Sequence, residues 1–349
     1  MNNRRRKNRF TGKDNGMMTR KIGMLALAAF LCGNASAVVW FVNQETGDDT
    51  AAKADDTGNT PFRTIQAAID HASDDDTVKV GPGTYNTSLY EASDTGKSRI
   101  IINKNITLES TDGRDTTVIE GAWDTQSGNE YGLGNNAIRC IYASSPAVIK
   151  GFTLRNGATQ SGSDSALTSG GGLLQKANLS ENAVLLDCLV ENCSSTRGGG
   201  MRRGMASRTI FRNCYASNYG AAAREAHLMF CLFDDCKGKY VTAYTRALLN
   251  CTFYNNNISA GRCVHTDQKD FIIGNCVFVS GNAMCEMASA SKANCKVDGS
   301  IFYVWECRCL LCTKRVDRRD IGYNQAECSW RRSVLSALWR YASGQRRRS

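Results

Sequence analysis

Short apolar runs separated by polar turn residues fill the chain from residue 38 to residue 301, and between Ala183 and Ser300 they settle into a repeated phrase. An apolar strand leads into Asn or Asp, then Cys, then a second apolar strand. The copies are Leu185-Leu186-Asp187-Cys188-Leu189-Val190, Phe211-Arg212-Asn213-Cys214-Tyr215-Ala216, Leu248-Leu249-Asn250-Cys251-Thr252-Phe253 and Ile273-Gly274-Asn275-Cys276-Val277-Phe278, with Met229-Phe230-Cys231-Leu232-Phe233 as a variant. A unit this small cannot bury its own apolar face, so neighbouring copies must stack and share one core. Aligning Phe152, Cys188, Cys214, Cys231, Cys251, Cys276 and Ser300 gives intervals of 36, 26, 17, 20, 25 and 24 residues. Most suit one coil of a parallel β-helix, and the first implies an insertion at residues 158–169.

A second phrase runs beside the first. Gly170-Gly171-Gly172-Leu173 and Gly198-Gly199-Gly200-Met201 each open a strand, and Gly220-Ala221-Ala222-Ala223 is a degraded copy. Glycine permits a tight turn or positive φ there. Asn192, Asn218 and Asn256 follow the cysteines at turn positions, where Asn tolerates the left-handed conformation. The early chain differs. Apolar residues at 65, 68, 69 and 72 follow helical spacing, with Thr60 and Pro61 as the start, and Asp74-Asp75-Asp76-Thr77 ends that helix before the strand Val78-Lys79-Val80. One short helix followed only by strands is the pattern of a cap on the first coil of a solenoid, here residues 38–75.

These residues carry a resemblance. Phe62-Arg63-Thr64-Ile65-Gln66-Ala67-Ala68-Ile69 and Asp76-Thr77-Val78-Lys79-Val80-Gly81-Pro82-Gly83-Thr84-Tyr85 are similar to the first coil of bacterial exported right-handed parallel β-helix proteins of the pectin-lyase-like superfamily. The later Asn-Cys and Gly-Gly-Gly phrases resemble repeats of polymorphic outer-membrane proteins. The resemblance implies an all-β right-handed parallel β-helix over residues 38–301, at a bacterial cell surface or secreted. It implies little about activity, since this solenoid carries lyases, hydrolases and adhesins alike.

The ends of the chain are of another kind. A basic stretch, an apolar run from Ile22 to Leu31 and Ala35-Ser36-Ala37 read as a secretory leader over residues 1–37. That run is too short to cross a bilayer, and no transmembrane helix is expected in the mature chain. Residues 302–349 hold ten arginines, four cysteines and three of the five tryptophans, without the repeat phrase. Three readings stay open for this tail: a C-terminal cap, a surface-binding segment, or sequence from an altered reading frame.

Charge narrows the partner. The net charge is +10, yet residues 1–37 hold eight Lys/Arg against one Asp and residues 302–349 eleven against four acids, leaving 24 basic and 28 acidic residues between them. The body is mildly acidic, so the basic total is no sign of a nucleic-acid partner. Sixteen cysteines occur, one of them in the leader. Their repeat positions fit a buried ladder of small apolar side chains better than a disulfide framework.

Candidate chemistry is sparse. The resemblance to polygalacturonase-like members, which use Asn-x-Asp, Asp-Asp, Gly-His-Gly and Arg-Ile-Lys, extends only to Asp234-Asp235; His265 sits in Cys263-Val264-His265-Thr266 and not between glycines. Asp234, Asp235 and His265 are the catalytic candidates, against the simpler reading of solvated turn residues. Lyase-like members need Ca²⁺ held by converging carboxylates, and the densest acidic run, Asp74-Asp75-Asp76, lies at the helix end. Arg197, Arg202, Arg203, Arg208, Arg212 and Arg224, with no acid inside the window, form a candidate basic band for carboxylate, sulfate or phosphate groups. Cys307, Cys309, Cys312 and Cys328 resemble a metal cluster only faintly, and no metal site is assigned. No cofactor is identified; Ca²⁺ enters only with a lyase. The sequence therefore supports a non-catalytic solenoid presenting a face to polysaccharide or cell-surface glycan. The alternatives are a lyase or glycoside hydrolase with a divergent site, and a truncated or frame-shifted product.

Overall fold

The computed structural model describes residues 37–303 apart from 51–54, 164, 180, 260–261, 267–271, 280–286, 290–295 and 299–300. The expected leader before residue 37, the tail beyond residue 303 and its four cysteines lie outside the described residues. Among the described residues the strands form sheets of seventeen, nine and four strands. The chain visits them in the same order in each coil, and the pairing is parallel throughout except for the hairpin of Tyr90–Ala92 with Gly96–Ile102 and an isolated bridge, Ala122 to Ile138. This is a parallel β-helix.

The largest sheet holds two ladders side by side. One climbs through Gly96–Ile102, Arg139–Ala143, Leu173–Gln175 and Met201–Arg202; the other through Val39–Val42, Thr77–Val80, Ile106–Ser110, Ala147–Lys150, Ala183–Leu186 and Met205–Ser207. The corner between them varies in length, with three residues each at 103–105 and 144–146. It takes residues 176–182 in one coil and only 203–204 in the next, and then Tyr219–Met229 and Val241–Leu249 run through it as unbroken strands. The two ladders fuse there.

Left-handed residues mark the other corners. Asp187, Arg208, Phe230, Asn250 and Asn275 have positive φ at one corner, Asn156, Asn192, Asn213, Asp235 and Asn255 at the next, and Gly170, Gly198 and Gly220 at a third. Asn and Asp adopt this conformation at least cost among non-glycine residues, which explains the Asn/Asp before each cysteine. Glycine has a second reason at 199: a Cβ there would come within 2.1 Å of the Tyr215 carbonyl oxygen.

The repeat phrase in fact belongs to two corners. Leu189, Ile210, Leu232, Thr252 and Val277 are in register, so Cys188, Thr209, Cys231, Cys251 and Cys276 stack in one column. Cys193, Cys214 and Cys236 form the other. Cys214 thus leaves the column in which its sequence context placed it, and the irregular intervals of 26 and 17 become 21 and 22 once Thr209 takes its place. Ladder thiols reach back one coil: Cys188 Sγ donates to Ile149 O at 3.4 Å, Cys214 to Val190 O at 3.4 Å and Cys231 to Ala206 O at 3.5 Å, while Cys251 donates to Leu249 O within its own coil. The nine described cysteines are buried thiols. Burial pushes the Cys188 thiol up to about 11, and raises those of Cys193 and Cys214.

Core side chains are matched down the axis. Phe211, Phe233, Phe253 and Phe278 stack with ring centroids 5.3, 4.4 and 4.8 Å apart. The column Ile100, Ile141, Leu173, Met201 continues as Ala223 and Ala243. Small residues appear where the phenylalanines enter, as a close-packed interior requires.

At the N-terminal end the helix α1 spans Ile65–His71, shorter than its spacing predicts, and Thr64 is its N-cap, accepting Ala67 N at 3.2 Å. Thr60 and Pro61 do not start it, because Phe62 is engaged elsewhere. Phe62 N donates to Phe41 O and Phe62 O accepts from Asn43 N, both at 2.8 Å, so Phe62 extends the edge of Val39–Val42. Gln66 covers the edge of the other ladder: its amide accepts from Ile101 N at 2.8 Å and donates to Ile101 O at 3.2 Å, as a peptide unit would. Lys104 Nζ donates to the carbonyls of Ile69, Asp70 and Ala72 at the C-terminal end of α1.

The acidic triplet is structural. Asp76 is buried and accepts from Val38 N at 2.7 Å, Ser73 N at 2.8 Å and Trp40 Nε1 at 2.9 Å. Burial raises its carboxyl, but these donors outweigh that and hold it below the usual carboxylate range.

Two outcomes are expected. The native protein should leave its ladder thiols unreactive toward a thiol-specific disulfide reagent, with reaction following unfolding; rapid labelling of the folded chain would contradict the buried columns. Phe233→Ala should lower the unfolding free energy by about 3–5 kcal/mol, measured by denaturant titration, because it opens the middle of the aromatic stack.

Candidate functional site

The outer face of the largest sheet carries a column of side chains that becomes basic and then aromatic. Leu174, Arg202, Arg224, Tyr244 and His265 are in register from coil to coil. At the fused corner the register with Val241–Leu249 shifts twice: Arg224 pairs with Tyr244, Ala226 with Thr245 and His227 with Ala247, so Glu225 bulges from one strand, with φ +59°, and Arg246 from the other. A non-glycine residue at a bulge in this conformation is held by its surroundings, and such places concentrate at functional sites.

Three arginines hold Glu225. Arg224 Nε lies 3.0 Å from Oε1, Arg203 Nε 3.1 Å from Oε2 and Arg202 Nη2 3.5 Å from Oε1. The Arg202 and Arg224 side chains are only 7 % and 13 % exposed, and that of Glu225 18 %. Arg202 Nη1 also donates to Ser169 Oγ at 2.6 Å, and Arg203 Nη1 to Gln175 O at 3.4 Å. Burial raises the Glu225 carboxyl, but Arg202, Arg224 and Arg203 together hold it below its ordinary value. Arg197, Arg203 and Arg224 are all pushed down, first by burial and then by the other arginines.

Aromatic rings continue the cluster. The Arg224 guanidinium lies 5.4 Å from the Tyr244 ring centre, and Tyr244 packs 5.0 Å from His265. Tyr219 stacks on Tyr240 at 4.8 Å, with Lys239 Nζ 4.9 Å from the Tyr240 ring. Three guanidiniums therefore hold one carboxylate, with Arg197 in electrostatic reach of it and the Lys239 ammonium on a neighbouring ring face. Such a surface can take oxyanions through arginine forks and flat apolar faces through the rings. It offers no proton donor of the carboxylic acid kind, because Glu225 stays ionised.

The six arginines singled out in the sequence divide. Arg197, Arg202, Arg203 and Arg224 belong to this cluster. Arg208 sits at an exposed corner in a two-pronged pair with Asp187, Nε to Oδ1 at 2.6 Å and Nη2 to Oδ2 at 2.8 Å. Arg212 lies on the second sheet, 3.2 Å from Asp234. There Glu120, Arg155, Glu191, Arg212 and Asp234 alternate in sign down one column, an arrangement of cross-strand charge pairs. Asp235 occupies the next corner, where its Oδ1 accepts from the Asn255 side chain. His265 is on the largest sheet, so the structure does not bring it together with Asp234 and Asp235. Among the described residues, no three His, Cys, Asp or Glu side chains gather into a group that could hold a metal ion.

Sequence reasoning missed Glu225, Tyr219, Tyr240 and Tyr244. The window of acid-free sequence ended one residue before Glu225. The tyrosines carried a usable signal: Arg202, Arg224, Tyr244 and His265 are separated by 22, 20 and 21 residues, one coil each.

The fold and this face define a parallel β-helix with a basic and aromatic strip on one sheet. Residues 46–219 match a family model described as a protein of unknown function, DUF1565. No curated protein matches the chain. Solved structures similar to it include a rhamnogalacturonan lyase, at 13% identity with TM-score 0.45, covering 75% of this chain and 73% of that one. A pectin methylesterase in complex with a hexasaccharide is 12% identical with TM-score 0.41, over 82% of this chain and 95% of that one. The rice weevil pectin methyl esterase is 11% identical with TM-score 0.38, over 70% and 87%. At these levels the likeness transfers no residue roles.

A measurable consequence concerns acid. A carboxylate with a depressed folded value adds stability above its unfolded pKa and loses it as pH falls through the folded value. The gap in melting temperature between the natural chain and Glu225→Gln should therefore be widest near neutrality and close as pH drops below about 4. A gap constant with pH would contradict the ion-pair account.

Proposed function

We propose that this protein is a non-catalytic binding solenoid whose fused ladders present Arg197, Arg202, Arg203, Arg224 and the Tyr219–Tyr240–Tyr244 rings to an acidic glycan. The observation that supports this most directly is the cluster around Glu225, three arginines on one carboxylate with Arg197 in electrostatic reach, beside stacked tyrosines. Sugar rings offer apolar faces to the tyrosines, and uronate or sulfate groups suit the guanidinium forks. The setting we infer is the surface or exterior of a bacterial cell, reached through a leader at residues 1–37, with a right-handed solenoid over 38–301 and α1 as its cap. The right hand is the one parallel crossovers take. Repeats like those of polymorphic outer-membrane proteins fit an adhesin-like role.

A second reading, a polysaccharide lyase, is favoured by one observation. Buried arginines pushed down by their neighbours are easier to deprotonate, as a guanidine base would need to be. Ca²⁺ would belong to that reading alone.

One experiment separates the two. The chain should be retained on immobilised polyuronate or sulfated glycan in low salt and released by salt, while a neutral glycan passes. Arg224→Gln should weaken retention about tenfold, or about 1.4 kcal/mol. Ultraviolet-absorbing unsaturated ends appearing with Ca²⁺ would replace the binding reading with the lyase. No retention on any anionic glycan would overturn it.

A further inference from the structure

A second basic site lies at the other end of the solenoid. Gln44, Arg63, Tyr85, Thr87, Ser88 and Arg99 line a cavity of about 160 Å³ beside the start of α1. By the share of liquid volume a water occupies, that is room for on the order of five waters, which suits an oxyanion with a few attached atoms and not an oligosaccharide.

Arg99 comes from the strand Gly96–Ile102 and forms part of the wall. Its Nε donates to Glu120 O at 2.8 Å and its Nη1 to Ser88 O at 3.1 Å. Arg63 stands at the rim and donates from Nε to Gly47 O at 3.0 Å. Carbonyls orient these guanidiniums without neutralising them, and among the described residues neither arginine forms an ion pair. The nearby carboxylates are committed elsewhere. Glu120 Oε1 accepts from Arg155 Nε and Asn156 Nδ2, both at 3.1 Å, and Glu120 Oε2 from Asn86 Nδ2 at 3.2 Å. Asp49 accepts from the backbone amides of Arg63 and Thr64 at 2.8 and 2.9 Å and from the Thr64 hydroxyl at 2.9 Å. Arg63, Arg99, Thr87, Ser88 and Gln44 thus line one small space, and no Asp or Glu is among its lining residues.

We propose that this cavity binds one small oxyanion, a carboxylate, sulfate or phosphate group, seated against Arg99 and closed over by Arg63. The Ile65 and Ile100 side chains that also line it give an attached carbon skeleton an apolar wall. The site is independent of the arginine cluster around Glu225.

The test is calorimetric titration of the full chain at constant ionic strength with sodium sulfate, phosphate, galacturonate and, as a neutral control, galactose. One-site saturation by at least one anion, with galactose silent, is expected. Arg63→Gln, a rim change that gives up the bond to Gly47 O but leaves the backbone hydrogen bonds of the coil in place, should weaken it about tenfold. Arg99→Gln should abolish it, and Arg224→Gln should leave it unchanged. Saturation by sulfate or phosphate alone marks a free inorganic ion as the ligand, and by galacturonate alone a sugar acid. Absence of saturable binding by all three anions, or affinity unmoved by Arg63→Gln, would overturn the proposal. A selenate soak with anomalous scattering places the ion directly, and an ion seated away from Arg99 would overturn it equally.

Discussion

Everything in this protein follows from in-register hydrogen bonding between successive coils. Each strand finds its backbone partners one coil before and one coil after, so any residue sits directly on its counterpart about one coil away. Side chains are therefore selected against their own column. Phenylalanine lies on phenylalanine and thiol near thiol inside, while on the second sheet acids and arginines alternate because like charges cannot be stacked without repulsion. Corners must repeat a conformation as faithfully as strands repeat a register, which is why left-handed Asn, Asp and Gly recur where they do.

That constraint made the architecture legible. Asn-Cys phrases, glycine triplets and coil-length spacing pointed to a stacked parallel solenoid, and the strands fall where apolar runs stand. The misplacement of Cys214 has a physical origin: two different corners demand the same pair, a left-handed Asx and a small inward residue. Thr209 broke the cysteine column and disguised it. Thr60 and Pro61 looked like a helix start, yet Phe62 was needed by a strand edge, a tertiary demand invisible to local spacing. Glu225 was illegible for a deeper reason. Its counterpart one coil earlier is Arg203, left-handed like it at φ +64°, so the position repeats a conformation while reversing the charge, and a reading built on recurring residue types passes over it.

The bulge also explains why the arginines gather. At the fused corner an acid takes the left-handed place that Arg203 holds one coil earlier, and it draws in Arg202 and Arg203 from that coil and Arg224 beside it. Arg208 and Arg212 answer instead to Asp187 and Asp234. Partner chemistry, more than proximity in sequence, sorted the six.

The first coil shows how such a stack begins. Its upper edge is met by Tyr90–Ala92 folding back over Gly96–Ser98, by the Gln66 amide on Ile101 and by Phe62 on Val39–Val42. An open strand edge is a template for another chain, and at this end three unrelated pieces occupy it. The largest sheet therefore offers another chain little free backbone at this end. On that sheet the stack of peptide hydrogen bonds ends against a side chain, with one glutamine standing in for a peptide bond.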